Sequence, residues 1–436
     1  MHYPRFFLVR QNLPDHRLID IDCEVRRQLG NSRISSRLRT GSRVAIGVGS
    51  RGIRNIDVIV RETVRYWKDL GMKPFLFPAM GSHGAATAEG QANVLAHYGI
   101  TEATMSCPVV SSLEVVSLGK TADGIEVFMD RTAYQSDGVM LIGRVKWHTD
   151  FTGRIESGLF KMMAIGLGKL AGAQSYHTWA YRRGLESVIL SVGRRMLDSG
   201  KILGGLAILE DAYHNTAQLD AIPAVELERR EAEDLALVKS WMARIPTDLD
   251  VLIVDLMGKD ISGAGMDTKV INRSVHGQYN PFPEAPRIER IFVRDLSELS
   301  YHNAVGIGLA DITTDRLVNR IDSVPTRLNA LTSSVLAGAR IPLHCPTDRQ
   351  CLELIAPTVG KVDLDQVTYG WIRNTLQLAE LAVSENVKPR IAGNPEMEIL
   401  GGPFELPFDT EGNLVSPFTD VPIPHDPARP LDSRHC

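Results

Sequence analysis

Cysteine is scarce, with five in 436 residues, odd in number and far apart (Cys23, Cys107, Cys345, Cys351 and Cys436). No CxxC pair occurs, which argues against a zinc ribbon or a disulfide framework. Long apolar runs are missing as well. The longest, such as Val251-Leu252-Ile253-Val254, fall far below the roughly 20 residues needed to span a bilayer. The opening Met1-His2-Tyr3-Pro4-Arg5-Phe6-Phe7 lacks the apolar core of a signal peptide, so a cytoplasmic protein with reduced thiols is expected. Nor is there an excess of charge: 48 basic against 52 acidic side chains leave −4, no electrostatic footprint for nucleic acid or an anionic membrane. Internal repeats, low-complexity tracts and an HExxH helix are all lacking, so standard zinc hydrolysis has no support.

What remains is ordinary globular material, 44% hydrophobic and 23% charged. At about 150 residues per domain, the length predicts two or three domains. Short β-branched runs alternate with helical patterns, the mark of a parallel α/β fold. Strands are expected at 44–48, 73–78, 138–142 and 202–209, with an amphipathic helix over 56–70 closed by Gly71. A charged helix near 220–248 gives way to a fresh strand at 250–256. The predicted domains are therefore 1–247 and 248–392, followed by an irregular tail, 393–436, rich in Pro, Gly and Asp.

Open α/β sheets bind ligands beyond the carboxyl ends of their strands, which singles out the loops at 49–54, 81–84 and 143–158. Arg51 and Arg54 follow a strand and precede a helix, where amide N–H groups and a guanidinium fork suit a carboxylate or phosphate. A glycine-rich turn with solvated arginines reads equally well. Gly47-Val48-Gly49 lacks the third spaced glycine of a dinucleotide fingerprint, because Gly52 comes too early. His83, in Gly81-Ser82-His83-Gly84, allows close approach of a ligand, or is simply polar surface. The densest stretch runs from Gly143 to His177 and contains His148, Lys146, Lys161 and Lys169. Lys161 lies in Leu159-Phe160-Lys161-Met162-Met163; desolvation there would lower its pKa and favour covalent amine chemistry, whereas a snorkelling lysine is the plainer alternative. Residues 255–267 read as a ligand loop or a connector, and Glu210-Asp211-Ala212-Tyr213-His214 as a solvated strand end more than a metal cluster.

Taken in order, the Ser50-Arg51 loop, Gly81-Ser82-His83-Gly84, His148 followed by Glu156-Ser157-Gly158-Leu159-Phe160-Lys161-Met162, and the later His177 resemble the nickel-pincer lactate racemase family. The resemblance covers the first domain and, more loosely, the loop that opens the second. It implies two α/β domains with the active site in the cleft between them. It also implies a nickel-bearing pyridinium-3-thioamide-5-thiocarboxylate mononucleotide that grips the metal through sulfur, carbon and sulfur, and dependence on the enzymes that make it. Lys161 matches the lysine that tethers this cofactor through a thioamide, and His177 the histidine that completes the nickel square plane. His83 and His148 match the acid/base pair, and Arg51 the arginine that holds the substrate carboxylate, with Ser50 beside it as a cofactor contact. The family's lactate racemases carry an Asp-Arg-Thr-Arg type loop where this chain has Gly49-Ser50-Arg51-Gly52. Their Tyr-Gln pair and lysine of the second domain have no clean counterpart in 266–273, where Asn272 and Arg273, or Lys269, stand as substitutes. These departures point to a substrate other than lactate, such as a longer hydroxy acid or a sugar acid like gluconate.

The chemistry accounts for that inventory. The α-hydrogen of a 2-hydroxy carboxylate is barely acidic, and removing it as hydride to the cofactor avoids a carbanion beside an anion. A base must take the hydroxyl proton as the hydride leaves, and inversion needs one such imidazole for each enantiomer. The expectation is a racemase or epimerase acting at C2 of a 2-hydroxy acid. Two other readings stay open: a nicotinamide-dependent 2-hydroxy acid dehydrogenase, and a non-enzymatic ligand- or metal-binding protein with structural histidines.

Overall fold

A computed structural model describes residues 3–49 and 52–418. The chain is an α/β protein whose strands form sheets of eight, five and two strands. It divides into two compact units: of the described residues, 14–242 make up one, and 3–13 with 243–418 the other. Among the described residues no helix is long and apolar enough to cross a membrane.

In unit 14–242 the five-stranded sheet consists of β1 (Arg43–Val48), β2 (Lys73–Pro78), β3 (Gly138–Val145), β4 (Ile202–Glu210) and β5 (Thr216–Pro223). Their spatial order is β2-β1-β3-β4-β5, parallel throughout except for the antiparallel pair β4–β5. Both faces are covered, so the strands read as continuous apolar runs rather than alternating ones. Val44, Ile46 and Val48 pack on one side against Ile56, Ile59, Val60, Val64 and Trp67, the last five on the helix Ile56–Asp69. That helix stops at Gly71, whose φ of +74° a side chain would resist. Ala45, Phe75, Phe77 and Leu141 face the other core, built on Leu159, Phe160, Met163, Val188 and Ile189. From β1 the chain turns one way to β2, and later to β3 on the opposite side of β1. The carboxyl ends of β1 and β3 therefore flank the topological switch point, where such sheets leave a crevice.

In the other unit the sheet runs Leu343–Cys345, Ile312–Thr314, Ile288–Leu296, Leu249–Met257, Tyr369–Ile372, Glu380–Ser384, Phe6–Gln11 and Met397–Phe404. The first five are parallel and the last three antiparallel. Two features differ from the sequence expectation. The strand Phe6–Gln11 joins this unit rather than the one that follows it in the chain, because it pairs with Glu380–Ser384 and Met397–Phe404. Residues 397–404 were expected to be irregular, since Gly401, Gly402 and Pro403 interrupt any strand pattern there. They form an edge strand instead, because Phe6–Gln11 supplies its hydrogen-bonding ladder from the far end of the sequence.

Candidate functional site

Beyond β3 the chain makes a closed loop at the switch point. Lys146 and Ser157 exchange backbone hydrogen bonds of 2.9 and 3.1 Å, and the residues between them are organised by Glu156. This buried carboxylate accepts from the amides of His148 (2.5 Å) and Gly153 (3.0 Å) and from Lys239 Nζ (2.5 Å). The His148 ring stacks on Phe151 with centroids 4.7 Å apart. After Gly158 comes a helical turn, Leu159–Lys161, that widens into a π-helical turn over Met162–Gly166. Such widened turns cost hydrogen-bond geometry and recur at functional sites. Glycine at 143 lets this turn settle on the sheet end, since a Cβ there would collide with Met162 Sδ.

Lys161 Nζ and His148 Nε2 are 2.7 Å apart. The Asp150 amide donates to His148 Nδ1 at 3.0 Å, so that nitrogen holds a lone pair. The Nζ–Nε2 contact makes Lys161 and His148 one hydrogen-bonded pair, a primary amine group against an imidazole. His177, on the helix Lys169–Arg183, is half-buried. Burial lowers its pKa most, a protonated Lys161 lowers it further, and Asp150 opposes both. It is thus a neutral imidazole at neutral pH, the form that ligates metals. The structure brings Lys161, His148, Asp150 and His177 into one electrostatic neighbourhood.

No family model and no curated protein matches the chain. It is similar to a solved structure, the lactate racemase apoprotein from Thermoanaerobacterium thermosaccharolyticum, at 12% identity and a TM-score of 0.45 over 90% of this chain and 96% of that one.

The remaining sequence-predicted residues fall in different places. Ser50 and Arg51 lie outside the described residues. Arg144 Nη1 donates to the Gly52 carbonyl (3.4 Å) and pairs with the buried Glu210 (2.5 Å), which also accepts from the Arg54 amide (3.3 Å). Glu210 therefore braces residues 52–54, while Asp211 caps the amides of Tyr213 and Asn215. Among the described residues no group of three or more His, Cys, Asp or Glu side chains is arranged to hold a metal ion. His83 is exposed on the loop after β2. Asn272 and Arg273 belong to the other unit and are buried. The Asn272 amide donates to the carbonyls of Phe282, Ala285 and Pro286 and accepts from the Phe282 amide. Arg273 Nη1 and Nη2 donate to the carbonyls of Asn272, Ile288 and Glu289, and the guanidinium lies over Tyr279. These bonds hold the 272–289 loop, while Arg273 Nε is buried with no hydrogen-bond partner. Sequence reading missed the buried Gln91 and Glu231 and gave Lys169 no role of its own, because their partners are too distant in the chain for any spacing to signal them.

Proposed function

We propose that this protein is an isomerase that inverts C2 of a 2-hydroxy carboxylic acid, either lactate-like or a longer hydroxy or sugar acid such as gluconate. The observation that carries the reading is the 2.7 Å contact of Lys161 Nζ with His148 Nε2, which joins a half-buried lysine to an imidazole at the switch point of the sheet. A half-buried lysine near the neutral imidazole of His177 fits a nickel carried on a pincer nucleotide. Lys161 would hold that group covalently, and His177 would offer the metal one lone pair. When bound, the nucleotide supplies a carbon able to take hydride from the substrate and to return it.

The chain's own residues do the rest. His148, within hydrogen-bond reach of Lys161, would stand where it can meet the substrate hydroxyl. His148 and His83 then serve that oxygen, one taking its proton as the C–H bond breaks and the other restoring it for the opposite enantiomer. Arg51, outside the described residues, takes the substrate carboxylate in this reading, because a bidentate guanidinium keeps one end of the molecule still while the centre inverts.

The test is intact mass and nickel content of protein co-expressed with the cofactor-synthesis enzymes, followed by chiral chromatography of a panel of 2-hydroxy acids. The expected outcome is an adduct that maps to Lys161, nickel in proportion to chain, and scrambling of C2 in at least one acid. Absence of both adduct and nickel, under conditions that load an authentic lactate racemase, would sink the proposal.

A further inference from the structure

His83 is exposed, yet the backbone that carries it is held from below by a buried polar chain. Gln91, on the helix Ala88–His97, is fully buried and donates through Nε2 to the carbonyls of Gly81 (2.8 Å) and His83 (3.3 Å). Its Oε1 accepts from Lys169 Nζ at 3.2 Å. Lys169 is fully buried too. It donates to the carbonyl of Pro78, the last residue of β2, at 2.5 Å and pairs with buried Asp130 at 3.1 Å. Asp130 is in turn fixed by the Ala133 amide, which donates to it at 2.8 Å.

These are expensive residues for structure alone. A buried ammonium must be desolvated, and an apolar side chain of similar volume fills space at less cost. Burial accordingly pulls the Lys169 pKa down, against the Asp130 carboxylate that supports the charge. Lys169 also holds a left-handed backbone, φ +52°, where L side chains are strained. What this charge reaches is the end of β2 and, through one amide, the two carbonyls that bracket Ser82. Only glutamine offers two protons to those carbonyls and a lone pair to the ammonium together at that length.

We propose that Asp130, Lys169 and Gln91 form a positioning relay that sets the Gly81–His83 segment over the carboxyl end of β2 and so aims the His83 imidazole. The inference rests on the reading of His83 as an acid/base group. Gly81 completes the seat: its φ is +60°, and a Cβ would stand 2.9 Å from Ile165 Cγ2 in the π-helical turn. The relay thus ties the His83 loop and the strand end to one buried charge.

The test is hydrogen exchange, read by mass spectrometry, on the full chain carrying Gln91→Met or Gln91→Glu. In the parent protein the His83 amide donates to Met80 O and the Ala86 amide to His83 O. In both variants, peptides over 81–87 should exchange about ten- to a hundredfold faster, while β1, β3 and the helix Ile56–Asp69 keep their protection. Gln91→Glu should loosen the loop as much as Gln91→Met although it keeps its contact with Lys169, because a carboxylate has no proton for either carbonyl. In turnover, kcat should fall about tenfold with KM unchanged, since the relay aims an imidazole and does not hold the substrate. Unchanged exchange over 81–87, or acceleration spread evenly through the unit, overturns the relay. A loosened loop together with parental turnover in His83→Ala leaves the relay standing and overturns the catalytic reading of His83 instead.

Discussion

Glu231 gives the folded chain a pH signature that can be measured without any ligand. Its carboxyl group is wholly buried beneath the turn that carries Lys161 and accepts the Phe160 amide at 2.9 Å. Gly158 leaves room for it, since a Cβ there would collide with Glu231 Oε1. Burial pushes the pKa from 4.5 up to about 8; the bond from Phe160 opposes the shift and the charge of Asp234 adds to it. The folded protein therefore keeps a proton that the unfolded chain has lost between those two values. There the native state binds more protons than the unfolded state, so stability falls as pH rises, by up to about 1.4 kcal/mol per pH unit. Accumulated over the window this reaches a few kcal/mol, a large part of the roughly 5–15 kcal/mol that stabilises a typical domain. Glu231→Gln keeps an acceptor for Phe160 and abolishes the titration. Urea unfolding of both proteins, in steps from about pH 5 to 8, should show the variant gaining on the parent at about 1 kcal/mol per pH unit. Asp234, pushed up to about 7 by burial first and by Asp220 next, contributes with the same sign in both proteins, so the difference between them reports Glu231 together with its coupling to Asp234. Stability curves that run parallel across the whole range would refute the reasoning.

Three further outcomes are expected. Lys161 is half-buried and engaged by His148, so limiting acetic anhydride should label it more slowly than the exposed lysines; peptide mapping should show its labelling rate rising several-fold in His148→Ala, and an unchanged rate would count against the contact. Gly143→Ala, which drives a methyl group into Met162 Sδ, should cost about 1–3 kcal/mol in chemical unfolding, with part of the loss recovered by adding Met162→Ala. Burial pushes the Cys107 thiol up to about 11, so Ellman's reagent should modify exposed Cys23 in the native protein and reach Cys107 only after denaturant is added.

Much of the framework was legible in the sequence because its signals are local. Continuous apolar runs such as Val44-Ala45-Ile46-Gly47-Val48 mark strands buried on both faces, and Ile56, Ile59, Val60, Val64 and Trp67 repeat at the helical period before Gly71 ends the pattern. Those features place loops at strand ends, and the apolar neighbours of Lys161 mark it as a lysine out of the ordinary. The pairing of Lys161 with His148, the relay from Asp130 through Lys169 to Gln91, and the burial of Glu231 under Phe160 were not legible. Neither was the strand Met397–Phe404, whose glycines and proline conceal it until Phe6–Gln11 lies alongside. The carbonyls that Asn272 and Arg273 bond were illegible for the same reason: a polar side chain advertises its donors in the sequence, but only the fold decides what they meet. Periodicity and turn chemistry determine where elements begin and end. Hydrogen bonds between residues far apart in the chain depend on strand order and close packing, so the chemistry of this site is decided by the tertiary structure.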